Sequence, residues 1–71
     1  MYKQIILTER EREIINLISQ IHNLKTLAAD LGISYRTLQW HLGKLYAKFR
    51  VRNRFELVMD LIENKPDYVL R

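Results

Sequence analysis

Cysteine is absent from this 71-residue chain, which excludes both a disulfide staple and a thiolate metal site. Only one proline, Pro66, and two glycines, Gly32 and Gly43, are present. Nothing before position 66 is therefore forced to break a helix. Long apolar runs are also missing, so no segment is expected to span a bilayer. Met1 to Leu7 has neither the long apolar region nor the cleavage site of an export signal. The expectation is a soluble, cytoplasmic chain that folds as a single domain, residues 1–71, on hydrophobic burial. At this length such burial is marginal, and oligomerisation or a ligand commonly supplies the remainder.

Negative charge is missing from one long stretch. Between Asp30 and Glu56 there is no acid, but Arg36, Lys44, Lys48, Arg50, Arg52 and Arg54 all fall there. The acids gather instead at Glu9, Glu11 and Glu13 and from Glu56 to Asp67. The chain carries a formal charge of +4. A one-signed segment within a mixed-charge chain suggests a polyanion partner, with a merely solvated basic face as the alternative.

Hydrophobic spacing predicts an all-α, four-helix bundle with helices at about 8–20, 24–31, 34–49 and 53–64. Thr8 and Glu11 have the spacing of a capping box, and Asn53 with Glu56 repeats it. Ile14, Leu17, Ile18 and Ile21 form the core stripe of the first helix. Asn23 is a plausible cap for the second, with Leu24, Leu27, Ala28 and Leu31 facing inward. Gly32 supplies the positive φ of a tight helix exit, and Ile33 plugs the corner. Ser34 caps the third helix, whose core stripe is Leu38, Leu42, Leu45 and Phe49.

The opposite face of that third helix holds Arg36, Trp40, Gly43 and Ala47, flanked by Gln39 and Lys44. An ordinary solvated face favours Glu, Lys and Gln, not a tryptophan beside two of the smallest residues. Glycine in a helix interior costs about 1 kcal/mol relative to alanine. Close approach of another body would compensate, and a major groove admits such a helix. Arg36 can reach guanine or phosphate, Gln39 adenine, and Trp40 a thymine methyl. The alternative is that Gly43 relieves crowding inside the protein while Trp40 half-buries. The amides after Ser34 favour a phosphate, and Lys44, Lys48, Arg50, Arg52 and Arg54 have the reach to grip others.

In the fourth helix Phe55, Val58, Met59 and Ile62 form one apolar stripe. Leu57 and Leu61 form another on nearly the opposite side. A surface helix needs only one, so Leu57 and Leu61 are expected at a homodimer interface, extended by Tyr68, Val69 and Leu70. The alternative is that Tyr2, Ile5 and Ile6 cover them. His22 and His41 make no recognisable metal set. No phosphate loop, paired carboxylates or nucleophile with a base are visible, so no enzyme, metal or cofactor is expected.

Several segments are similar to the LuxR/GerE-type helix-turn-helix. They are Leu7-Thr8-Glu9-Arg10-Glu11-Arg12-Glu13, Leu31-Gly32-Ile33-Ser34, Thr37-Leu38, His41-Leu42, Lys48, Val51-Arg52-Asn53-Arg54 and Glu56-Leu57-Val58. The resemblance runs without a gap from Leu7 to Met59. It implies a four-helix DNA-binding domain of a transcriptional regulator, its second and third helices forming the helix-turn-helix. The fourth helix would then mediate dimerisation on a two-fold site. Base contacts would come from Gln39, Trp40 and Gly43, and phosphate contacts from Lys25, Thr37 and Lys48. Departures from the family pattern are Ile21 for glycine, Thr26 for glutamate, Arg50 for glycine, Gln39 for lysine and the bulk of Trp40.

The expected function is therefore sequence-specific binding of double-stranded DNA, with RNA polymerase as a further candidate partner. Rival readings are a protein-interaction module anchored by Trp40 and the promoter-contacting domain of a sigma factor.

Overall fold

Local capping bonds divide the chain into the four helices that its spacing predicts. The computed structural model describes residues 4–21, 23–63 and 67–70, with side chains for 5–21 and 23–63. Its helices are α1 (Glu9–Ile18), α2 (Leu24–Leu31), α3 (Tyr35–Phe49) and α4 (Arg54–Glu63). Tyr2, His22 and Asn64, which the sequence reading drew on, lie outside the described residues.

Thr8 Oγ1 accepts from the Glu11 amide at 3.1 Å, and Glu11 Oε1 accepts from the Thr8 amide at 2.9 Å. This reciprocal box satisfies two amides that the first turn of α1 leaves open. Asn23 Oδ1 caps α2 through the Lys25 amide at 2.8 Å. Before α4, Asn53 Oδ1 accepts from the Glu56 amide at 2.9 Å. Here the return bond is displaced, because Glu56 Oε1 accepts from the amide of Arg52 rather than Asn53.

The class is all-α as expected, with one addition. Strands β1 (Gln4–Leu7) and β2 (Asp67–Leu70) pair in parallel, Gln4 opposite Asp67 and Leu7 opposite Leu70. The backbone of Tyr68, Val69 and Leu70 thus pairs with β1 of the same chain. Ile5 and Leu7 alternate inward while Ile6 is exposed, the period-two pattern of a strand.

One core joins these elements. Ile5 and Leu7, Ile14 and Ile18 of α1, Leu27 and Ala28 of α2, the α3 stripe and Leu57 of α4 are all buried. The α3 stripe is the one predicted: Leu38, Leu42, Leu45 and Phe49. Two arginines tie the helices end to end. Arg10 Nη1 donates to the Leu31 carbonyl at the end of α2. Arg54 Nη2 donates to the carbonyls of Ile18 and Ile21, at 3.4 and 2.9 Å, at the end of α1. A cation at a helix C-terminus satisfies open carbonyls and complements the helix dipole.

The expected dimer residues of α4 require correction. Leu57 is 0% exposed within a single chain, so it is core and offers nothing to a second copy. Leu61 is partly buried against the same core. Of the other stripe, Val58 also packs against the core, and Phe55 and Ile62 face outward at 73% and 58% exposure.

Candidate nucleic-acid interface

Helix α3 has one face sealed into the core and the other bare. Arg36, Gln39, Trp40, Gly43, Lys44 and Ala47 are all exposed. The buried stripe fixes the helix's rotation, so these outward positions are set by the core and not by loop geometry. Removing any of Leu38, Leu42 or Leu45 would release that orientation.

At the N-terminus, Ser34 Oγ accepts from the Thr37 amide at 3.0 Å and donates to Thr37 Oγ1 at 2.9 Å. The Thr37 hydroxyl hydrogen is left to donate outward. Both residues are exposed, so the capped end of α3 presents donors where a phosphate can approach.

Trp40 is 60% exposed. Its ring meets His41 edge-on, with centroids 5.0 Å apart and planes at 67°. Lys44 Nζ sits 4.3 Å from the indole centroid, close enough for a cation–π attraction. The indole is thus held against the helix with much of its surface open.

Gly43 occupies open space. A Cβ built there would meet nothing within 4 Å, so glycine relieves no crowding inside the protein. That removes the internal explanation for a residue that weakens the helix. Beside it, Leu24, Gln39, Leu42, Gly43 and Tyr46 line a shallow depression between α2 and α3.

The expected phosphate-gripping cations separate into two sets. Lys25, Lys44, Arg50 and Arg52 are exposed. Arg52, with a side chain 90% exposed, lies 3.9 Å from Glu56. Lys48 instead turns inward, its Nζ 2.6 Å from Glu11 Oε1 and donating to the Ile6 carbonyl at 2.9 Å. Arg54 is likewise committed, to the carbonyls that end α1. The sequence reading counted both as gripping residues; in the folded chain they tie elements together. Glu11 is the residue whose reach that reading missed, because its place in the capping box gave no sign of a partner 37 positions away.

Glu11 is 1% exposed. Burial pushes its carboxyl up, but the hydrogen bond and charge of Lys48 and the bonds with Thr8 outweigh it. The net effect holds the carboxyl below its ordinary value. Among the described residues, no group of three His, Cys, Asp or Glu side chains could hold a metal. No helix among them is long and apolar enough to cross a membrane.

The model of the GerE family, described as bacterial regulatory proteins of the luxR family, matches residues 5–61. Among similar chains, the monoamine regulon transcriptional regulator of Klebsiella aerogenes is 43% identical over 53 residues, 75% of this chain and 23% of its own length. The "Probable transcriptional regulator ycf29" of Cyanophora paradoxa is 38% identical over 61 residues, 86% of this chain and 29% of its own. The spore germination protein GerE of Bacillus subtilis is 35% identical over 57 residues, 80% of this chain and 77% of that one. The chain therefore spans less than a third of the first two relatives and most of the third. No solved structure gives a significant match.

Proposed function

The chain belongs to the luxR family of bacterial regulatory proteins, and we propose that it is a transcriptional regulator that binds double-stranded DNA sequence-specifically, with α3 in the major groove. The observation that carries this reading is the bare face of α3. A glycine with no internal reason to be glycine lies one turn beyond exposed Gln39 and Trp40, in a stretch without a single carboxylate. Carboxylates would be repelled by phosphates, whereas a protein partner would not exclude them.

In this reading Gly43 lets the groove floor approach the helix backbone. Gln39 offers its amide to adenine, and Arg36 reaches guanine or phosphate. Trp40 lies against a thymine methyl, and Lys44 leaves its indole for the backbone. Lys25, Ser34, Thr37 and Arg52 hold phosphates around the groove. Such contacts set register and affinity, while the groove contacts set sequence.

A second copy completes the assembly. Phe55 and Ile62, seven residues apart and therefore on one side of α4, form the exposed apolar stripe that a two-fold partner would cover. The homodimer would bind two half-sites, acting in the cytoplasm where chromosomal DNA is accessible. Titration of a duplex selected from a random pool tests the reading. Affinity should fall steeply with salt as counterions are released; salt-independent binding would favour a protein-interaction role instead.

A further inference from the structure

We propose that Arg50, the residue that closes α3, is a backbone-phosphate anchor whose presence makes the fold less stable than it would otherwise be. The inference rests on the DNA-binding reading above and assigns one residue of that interface.

Arg50 has φ 58 and ψ 44, and it is the one non-glycine residue with positive φ among those described. Side chains disfavour this left-handed region because Cβ crowds the following carbonyl. The turn itself does not need arginine. After α2, the Gly32 amide donates to Ala29 and the Ile33 amide to Ala28, each at 3.0 Å. After α3, the Arg50 amide donates to Ala47 at 3.3 Å and the Val51 amide to Tyr46 at 2.9 Å. The two exits use the same pair of bonds. One is closed by glycine at φ 71, the other by arginine.

Among the described residues, no side-chain partner offsets that strain. The Arg50 side chain is exposed and makes no hydrogen bond or ion pair with any described residue. Its neighbours in sequence are occupied: Lys48 by Glu11 and the Ile6 carbonyl, Arg54 by the end of α1.

Its position is that of a contact residue. Positions 36, 40, 43 and 47 follow steps of four and three along the outward face, and the Arg50 Cα stands one further step of three beyond them at the end of the helix. It lies about 10 Å along the axis beyond Gly43. With Gly43 against the groove floor, this distance carries a long side chain to the flanking strand. A guanidinium meets a phosphate with two parallel N–H bonds. The absence of any acid from Leu31 to Phe55 in the sequence favours the same occupant, a duplex backbone phosphate.

The test uses the full chain and its Arg50→Gly, Arg50→Asn and Arg50→Lys variants. Each is melted thermally and titrated against one duplex selected with the wild-type chain, at several salt concentrations. Arg50→Gly should melt about 4 °C higher, the shift expected of a domain this small when such strain is released. Its log-affinity should depend on log-salt with a slope shallower by about 0.9, and its affinity near physiological salt should fall about fivefold. Arg50→Asn, which tolerates the left-handed region without a charge, should lose the same slope. Arg50→Lys should keep it. A wild-type slope retained in Arg50→Gly and Arg50→Asn would overturn the anchor while leaving the DNA reading intact. A melting point unchanged or lowered in Arg50→Gly would overturn the destabilising role. Absence of duplex binding by the wild-type chain would overturn the inference together with the reading beneath it.

Discussion

Lys48 Nζ lies 2.6 Å from Glu11 Oε1, joining the middle of the sequence to its N-terminal capping box across 37 positions. The carboxylate is 1% exposed, and the ammonium also holds the Ile6 carbonyl of β1. One ammonium, through two contacts, therefore ties α1, α3 and β1 together. Glu11→Gln should retain the cap, since an amide oxygen still accepts from Thr8, but leave Lys48 without its countercharge. The expected loss is about 1.5–3 kcal/mol at neutral pH, the range of a hydrogen bond to a charged group. Because the folded carboxyl is held below its ordinary 4.5, its contribution is fully present above that value. It is lost as pH falls through the lower, folded one. Urea melts should show the gap between wild type and Glu11→Gln narrowing on acidification; a gap independent of pH would refute the assignment.

Gly43 offers a test in which stability and binding move in opposite directions. Its Cβ position is empty in the free protein, so Gly43→Ala should stabilise the fold by about 1 kcal/mol through helix propensity. The same methyl would stand between helix and groove. Duplex affinity should fall about tenfold, equivalent to about 1.4 kcal/mol. Denaturant melts and a duplex titration of the same preparation check both signs. A variant that gained stability and bound unchanged would show that nothing approaches this face closely.

Arg54 should behave as a structural residue. Its guanidinium serves the carbonyls at the end of α1, so Arg54→Met should destabilise by about 1–3 kcal/mol, the penalty for unsatisfied buried acceptors. The salt slope of duplex binding should stay near that of wild type under conditions where the variant is folded. A full loss of one unit of slope would return Arg54 to the phosphate contacts.

The two sides of α4 predict contrasting variants. Leu57→Ala should cost about 2–5 kcal/mol as a buried truncation. Phe55→Glu combined with Ile62→Glu should leave the monomer folded, because both side chains are mostly exposed, and abolish the dimer. Light scattering would report a dimer mass for wild type and a monomer mass for the double variant. Equal masses would dismiss the α4 interface.

What the sequence made legible was mostly local. Thr8 with Glu11, Asn23, Ser34 and Gly32 act within three or four residues of themselves, so spacing alone places them. The α3 stripe was legible too, since four large apolar residues on one line leave a single way to bury the helix. The contacts across the chain were hidden. Lys48 and Arg54 read as free cations because their partners, Glu11 and the carbonyls of Ile18 and Ile21, are remote in sequence. The pairing of β1 with β2 joins strands at opposite ends of the described chain, and three-residue apolar runs do not announce a partner. On α4 two stripes of similar strength competed. Only the shape of the core, closed by Leu57, decides which turns inward.

The outward face of α3 was therefore found correctly as a surface, while its gripping cations were overcounted. Freed of Lys48 and Arg54, the proposed interface is narrower: Arg36, Gln39, Trp40 and Gly43 would enter the groove, with Lys25, Ser34, Thr37, Lys44, Arg50 and Arg52 around it. The proposal turns on which base each of these groove residues reads.

Selection of bound duplexes from a random-sequence pool, run in parallel for wild type and Gln39→Ala, tests that claim most directly. Wild type should yield an enriched site, with Gln39→Ala losing preference at one base position by about 1–3 kcal/mol and keeping the rest. No enrichment for wild type, or a uniform weakening of all positions in the variant, would contradict it.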